Sequence, residues 1–175
     1  MQLLLIRHAI AQEREEFART GHDDEERPLT DDGRRKMKRG ARGLRVLVPE
    51  IALLATSRLA RSAQTGAILD SAYGGLSVVE IEELAPGAPL DRLVRWLARQ
   101  SSSGSKIDRG NPIALVGHEP DLGALLALLV GASRPFHRFR KGGAAMVSFA
   151  GKIEAGTGDL IWAFPPACLR ELGEG

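Results

Sequence analysis

Two histidines and a set of arginines stand at comparable points along this 175-residue chain. His8 ends the run Leu3-Leu4-Leu5-Ile6-Arg7, and His118 ends the run Ile113-Ala114-Leu115-Val116-Gly117. Arg58 and Arg61 follow the apolar run Ile51 to Ala55, and Arg27 precedes Pro28-Leu29-Thr30. A histidine after a buried strand is either a core residue with a satisfied hydrogen bond or a working group, and fold position alone does not decide. For the arginine stretch alone, an anion site and two exposed side chains are equally open readings. Together these residues suit a phosphoryl group. Arginine binds its oxygens bidentately and keeps its charge at neutral pH. It also stabilises the charge that builds on the equatorial oxygens in the transition state. A neutral imidazole nitrogen can attack phosphorus and form a phosphohistidine, which water then hydrolyses. The histidines are not interleaved with carboxylates at ligand spacing, so no metal site and no cofactor is expected.

The chemistry requires these residues to meet, and the apolar patterning says how. Gln2–Arg7 reads as a strand buried on both faces, as in a parallel sheet. The Arg7-His8 pair then falls at its carboxyl end, where open α/β sheets bind ligands. Ile51 to Ala55, Leu76 to Ile81 and Ile113 to Val116 read as further strands. Thr30 caps a helix running to about Val48, with Asp31 and Asp32 in its first turn. Glycines 33, 40 and 43 weaken that helix, though Gly33 also permits close packing. Ser57 is expected to cap a helix running to about Tyr73, placing Arg58 and Arg61 on one face near its amino end. Leu90–Gln100 is amphipathic, and 101–111 is a Ser/Gly-rich surface linker. Pro120 fits the first turn of a buried helix over Asp121 to Val130. Ala144 to Phe149 and Leu160 to Phe164 form a closing hairpin around Gly156-Thr157-Gly158, ended by Pro165-Pro166. Strand–helix alternation first and a hairpin last predict a three-layer α/β fold, its sheet mostly parallel with an antiparallel edge.

Length and composition set the frame. A chain of 175 residues with 43% hydrophobic content suits one domain, 1–175, with a sizeable core. No apolar run reaches the roughly 20 residues of a membrane span, and the start reads as structure and not as a signal peptide. A single cysteine, Cys168, fits a reducing compartment, hence a cytoplasmic location. Its place in a Pro-Pro-Ala-Cys tail argues against a nucleophile. The net charge is +2, unevenly spread: an acidic stretch over 13–26 precedes a basic one over 34–45. With 5% aromatic residues there is little to stack on bases, so nucleic acid is not an expected partner. The basic ground can still steer an anionic substrate. The 11–26 segment reads as a mobile loop or short helix; His22 within it lacks a completed ligand set and is taken as surface. His137 and Lys141 read as surface or peripheral substrate contacts.

Four motifs in this order resemble the histidine phosphatase superfamily, which has the phosphoglycerate mutase-like fold, and more narrowly the SixA-type phosphohistidine phosphatases. They are Leu-Ile-Arg7-His8, Arg27-Pro-Leu-Thr30 with Gly33, Ser57 to Thr65 as S-x-L-x-R-x-x-Q-T, and Val116-Gly-His118. The resemblance implies that His8 is the nucleophile, with Arg7, Arg61 and His118 completing the phosphate pocket. It implies that Arg27 binds phosphate. Ser57 and Arg58 are carried as substrate contacts; Arg58 stands where the family often has proline. The chain departs from the pattern twice. Ala9 replaces the usual glycine of Arg-His-Gly, and Leu84-Ala85-Pro86-Gly87 lacks the glutamate that mutase-like members use as an acid. Glu83 is slightly early. Glu119 is the preferred candidate acid; it reads equally as a helix-start carboxylate satisfied by backbone N–H groups. An alkyl ester benefits from a proton donor by ~10²–10⁴-fold, whereas imidazole leaves easily. The departure therefore favours a phosphohistidine on a signalling or carrier protein as substrate. A small phosphorylated metabolite or nucleotide is the alternative, and a non-catalytic phosphate- or phosphoprotein-binding module a third reading.

Overall fold

Leu3, Leu4, Leu5 and Ile6 are all fully buried, and their alternation divides the core in two. Leu3 and Leu5 face one hydrophobic cluster, Leu4 and Ile6 the other. This is strand β1 (Gln2–Arg7), the chain's first, set inside a six-stranded sheet. The structure is a computed structural model describing residues 1–100 and 110–174; most of the expected 101–111 linker lies outside the described residues.

The other strands are β2 (Leu53–Thr56), β3 (Val78–Glu80), β4 (Ile113–Gly117), β5 (Ala144–Phe149) and β6 (Gly158–Phe164). Their order is β3-β2-β4-β1-β5-β6. The first four run parallel, and β5 and β6 add antiparallel to one side. The helices are α1 (Arg14–Ala18), α2 (Asp31–Leu47), α3 (Ala60–Tyr73), α4 (Leu90–Gln100), α5 (Asp121–Leu129) and α6 (Pro166–Leu172). Leu93, Trp96 and Leu97 of α4 and Leu122, Leu125 and Leu126 of α5 cover one face. Met37, Ala41 and Leu44 of α2, Ile68 and Leu69 of α3 and Leu169 of α6 cover the other. The expected three-layer arrangement with its antiparallel edge is what forms.

Thr30 caps α2 by accepting the Gly33 N–H at 2.9 Å. Ser57 does not cap α3, which begins three residues later with Leu59 at its N-cap. Arg58 therefore precedes the helix and does not share a face of it with Arg61. The strand over 76–81 shortens to β3; ahead of it, Asp70 Oδ1 accepts the Leu76 N–H. Pro120 lies just before α5 and not within its first turn. Beyond Pro165, the tail forms α6, with Pro166 as its first residue. The glycines of α2 explain why it docks there. A side chain at Gly43 would collide with the Leu169 carbonyl, and one at Gly33 with the Ile10 carbonyl. The residues that weaken α2 as a helix are those that let its neighbours approach.

Candidate active site

β1 and β4 are parallel neighbours in the register Arg7↔Gly117. His8 and His118 each follow by one residue, so the strand ends bring the rings together. The His8 N–H donates to the Gly117 carbonyl (3.1 Å), and the ring centroids are 5.1 Å apart at 48°. Both residues are nearly buried, at 5% and 4% exposure. Burial pushes His8 down to about 3, against the opposing hydrogen bond to the Ala9 carbonyl, with the charges of Arg61 and Arg7 adding to the effect. Burial also lowers His118, to about 4, helped by Arg61 and Arg7. Both imidazoles are neutral at pH 7. The His8 Nδ1–H donates to the Ala9 carbonyl at 2.7 Å, which leaves Nε2 as the unprotonated nitrogen.

The Gln-Thr end of the third motif holds this strand end in place. The Ala9 N–H donates to Thr65 Oγ1 (3.0 Å), whose hydroxyl donates to the Arg61 carbonyl (2.7 Å). Ala9 carries no positive φ, so alanine fits where the family's glycine usually stands. Gln64 Oε1 accepts the Leu29 N–H (2.9 Å) and Arg34 Nη2 (2.8 Å), tying the segment after Arg27 to α3.

Arg7, His8, Arg27, Arg58, Arg61, His118, Glu119 and Lys141 all line one cleft of about 660 Å3. Arg7 Nη1 donates to the Phe139 carbonyl (2.7 Å). Arg61 is 5% exposed; its Nη1 donates to the Asp24 carbonyl (2.8 Å), and its Nη2 lies 3.1 Å from Asp24 Oδ2. Asp24 Oδ1 also accepts Arg27 Nε at 2.8 Å, while Arg14 stands 3.4 Å away. Burial works against charge on Asp24, but the Arg27 hydrogen bond and the charges of Arg61, Arg27 and Arg14 hold its carboxyl below the usual range. Among the described residues, Arg7 Nε, Arg61 Nε, His118 Nδ1 and Thr56 Oγ1 are buried without a partner. The first three belong to residues lining the cleft.

The remaining expected residues separate. Ser57 is fully buried and does not line the cleft; its hydroxyl lies 2.7 Å from His118 Nε2, and its N–H donates to Ser62 Oγ. Arg58 is an exposed rim residue paired with Glu25 at 2.8 Å. Glu119 Oε1 accepts the Phe139 N–H at 2.6 Å, a backbone bond from another segment and not from the start of α5. Glu83 lines a separate small cavity beside Leu84 and Leu122. His22 is exposed and pairs with Glu26, and His137 packs edge-on against Phe139. Asp24 was not anticipated. The sequence did carry a signal for it, a carboxylate three residues before Arg27 on a short 3-10 turn (Asp24–Glu26). Among the described residues no helix is long and apolar enough to cross a membrane.

Comparison with known proteins agrees with this geometry. The model of the histidine phosphatase superfamily (branch 1) matches residues 3–86. An uncharacterized protein of Picosynechococcus sp. (strain PCC 7002) is 33% identical over 164 residues, covering 93% of this chain and 94% of its own length. The structure of the protein histidine phosphatase SixA complexed with tungstate superposes with a TM-score of 0.80 at 24% identity, over 97% of this chain and 99% of that one. A mycobacterial glucosyl-3-phosphoglycerate phosphatase with inorganic phosphate follows at a TM-score of 0.73 and 18% identity, over 94% and 98%. The chain belongs to the histidine phosphatase superfamily and has the phosphoglycerate mutase-like fold of its SixA-type members.

Proposed function

We propose that this protein is a phosphohistidine phosphatase that uses His8 as nucleophile and acts on a phosphorylated protein. The observation that carries the reading is the His8 ring, neutral and oriented by its Nδ1–H bond to the Ala9 carbonyl, with Nε2 left to react. Arg7, Arg61 and His118 line the cleft around it, and Arg27 adds a further cation. Such preorganised charge stabilises a transferring phosphoryl group without reorganising during reaction. Nε2 forms a bond to phosphorus as the substrate N–P bond breaks, its electron pair going to the departing imidazole. Water then adds its oxygen to phosphorus, Nε2 leaves with the bonding pair, and both water protons end on the phosphate. His8 returns to its neutral form.

Ser57 acts behind His118 and not on the substrate. Glu119 is already the acceptor for the Phe139 N–H, which supports an anchoring role over that of a proton donor. Of the other carboxylates lining the cleft, Asp24 and Glu25 pair with arginines and Glu13 is exposed; such a site suits a leaving group that needs little protonation.

The test is phosphate release from a phosphohistidine-bearing carrier protein and from p-nitrophenyl phosphate, by wild type and His8→Ala, with EDTA present. Release from the carrier that EDTA spares and His8→Ala abolishes is the expected result. Release mainly from the ester assigns a small phosphoester instead. Phosphate binding without release from either identifies a binding module.

A further inference from the structure

The cations of α2 lie on two sides, and only one side is neutralised. Arg35 and Lys36 pair with Asp32, and Arg39 with Glu174. Arg34, Lys38 and Arg42, spaced four residues apart, instead line a groove of about 450 Å3 between α2 and α3. No carboxylate lines it, and among the described residues none of the three pairs with one; Arg34 bonds only to the Gln64 amide. Lys38 and Arg42 are exposed. Ala67, Ile68 and Ala72 contribute its apolar side. A protein of net charge +2 has concentrated uncompensated positive charge in one furrow.

The furrow and the catalytic cleft share no lining residue, but one side chain ties them together. Gln64 Oε1, which receives Arg34, also receives the Leu29 N–H two residues beyond Arg27. Because β1, β2 and β4 are parallel, α2 and α3 both start at the sheet edge that carries the histidines. The row from Arg34 to Arg42 therefore leads away from the cleft for about 12 Å along the helix.

We infer that this furrow docks an acidic helix of the phosphorylated protein whose phosphoryl group enters the cleft. The inference rests on the phosphoprotein reading for the partner's identity, and on the charge and shape of the furrow for its chemistry. Carboxylates four residues apart on a helix rise about 6 Å per step, the same spacing as the arginine and lysine row. The alanines and Ile68 accept the small apolar face of such a helix. No aromatic residue lines the furrow, so a single-stranded nucleic acid finds no stacking platform.

The test compares wild type with the double variant Lys38→Glu/Arg42→Glu, both positions being exposed and outside the catalytic cleft. Fluorescence anisotropy reads binding of a labelled amphipathic helical peptide with glutamates four residues apart, of a single-stranded RNA, and of phosphatidylserine-containing vesicles. Turnover is read on p-nitrophenyl phosphate and on an acidic histidine-phosphotransfer domain. The double variant is expected to lose peptide affinity about tenfold or more and to raise KM for the carrier to match, with ester turnover within about twofold of wild type. Peptide binding that charge reversal leaves unchanged, or tighter binding of RNA or vesicles than of peptide, overturns the inference. A carrier that neither protein dephosphorylates refutes the phosphoprotein reading instead, and peptide binding still decides the furrow.

Discussion

Thr65→Val tests whether the strand end bearing His8 is held from behind. Thr65 is fully buried, and its hydroxyl joins the Ala9 N–H to the Arg61 carbonyl. Valine matches threonine in shape, so the change opens no cavity. It removes the acceptor of the Ala9 N–H, and Ala9 is itself only 2% exposed. The Arg61 carbonyl keeps its helical partner, so the main cost is one buried, unpaired N–H, about 1–3 kcal/mol. For a chain of this length about 2 kcal/mol lowers Tm by roughly 4–8 °C. Activity should fall further than stability, because the Ala9 carbonyl orients His8. A displacement of about 1 Å in a reacting group can cost on the order of 10²-fold. The assay pairs thermal melting with kcat/KM on p-nitrophenyl phosphate for Thr65→Val and Thr65→Ser. Serine keeps the hydroxyl and should keep most of the activity. If valine retained full kcat/KM while serine lost it, the hydroxyl would not be what holds His8, and the reasoning would fail.

The buried histidines give stability a defined pH dependence. Their folded values, about 3 and about 4, lie below the ordinary 6.5, so between these limits the unfolded chain binds more protons. The stability they contribute is complete above pH 6.5 and declines as pH falls through 4 towards 3; urea midpoints at pH 7, 5 and 4 should drop in that order, and His8→Asn should flatten the trend. Arg61→Ala is expected to lower kcat/KM by ~10²–10³-fold. Arg58→Ala, which removes an exposed pair with Glu25, should change it by less than about threefold. Glu119→Gln preserves an oxygen for the Phe139 N–H and should stay within about threefold of wild type, whereas loss of a general acid costs ~10²–10⁴-fold. A collapse of Glu119→Gln with Glu119→Ala no worse would make the carboxyl a proton donor after all.

Much of this site was legible because sheet geometry is written in short apolar runs. Leu3 to Ile6 and Ile113 to Val116 announce buried parallel strands, and the histidine two residues after each is then fixed at one edge. What escaped depends on tertiary choice. Ser57 is an excellent cap by type, but its hydroxyl is taken by His118, and α3 starts later without a side-chain cap. Asp24 lies in an acidic stretch; its spacing three residues before Arg27 hints at a local pair, but its sharing by Arg14 and Arg61 as well is set by the fold. Glu119 presented two readings that only the position of Phe139 separates. The close packing expected at Gly33 is against Ile10, but the role of Gly43 is set by α6, which a double proline had disguised as a tail.

The side-by-side placement of β1 and β4 has a consequence for how this protein can change. The strand ends that carry its two histidines are neighbours in the sheet, about 4.8 Å apart, and each histidine follows its strand by one residue. Arg7 shares that fixed frame as the last residue of β1, whereas Arg27 and Arg58 reach the cleft from connecting segments and Arg61 from the first turn of α3. Evolution, or an engineer, can therefore rewrite the rim and with it the clientele of the enzyme. The histidine pair stays on neighbouring strands, because altering that would mean re-registering the centre of the core.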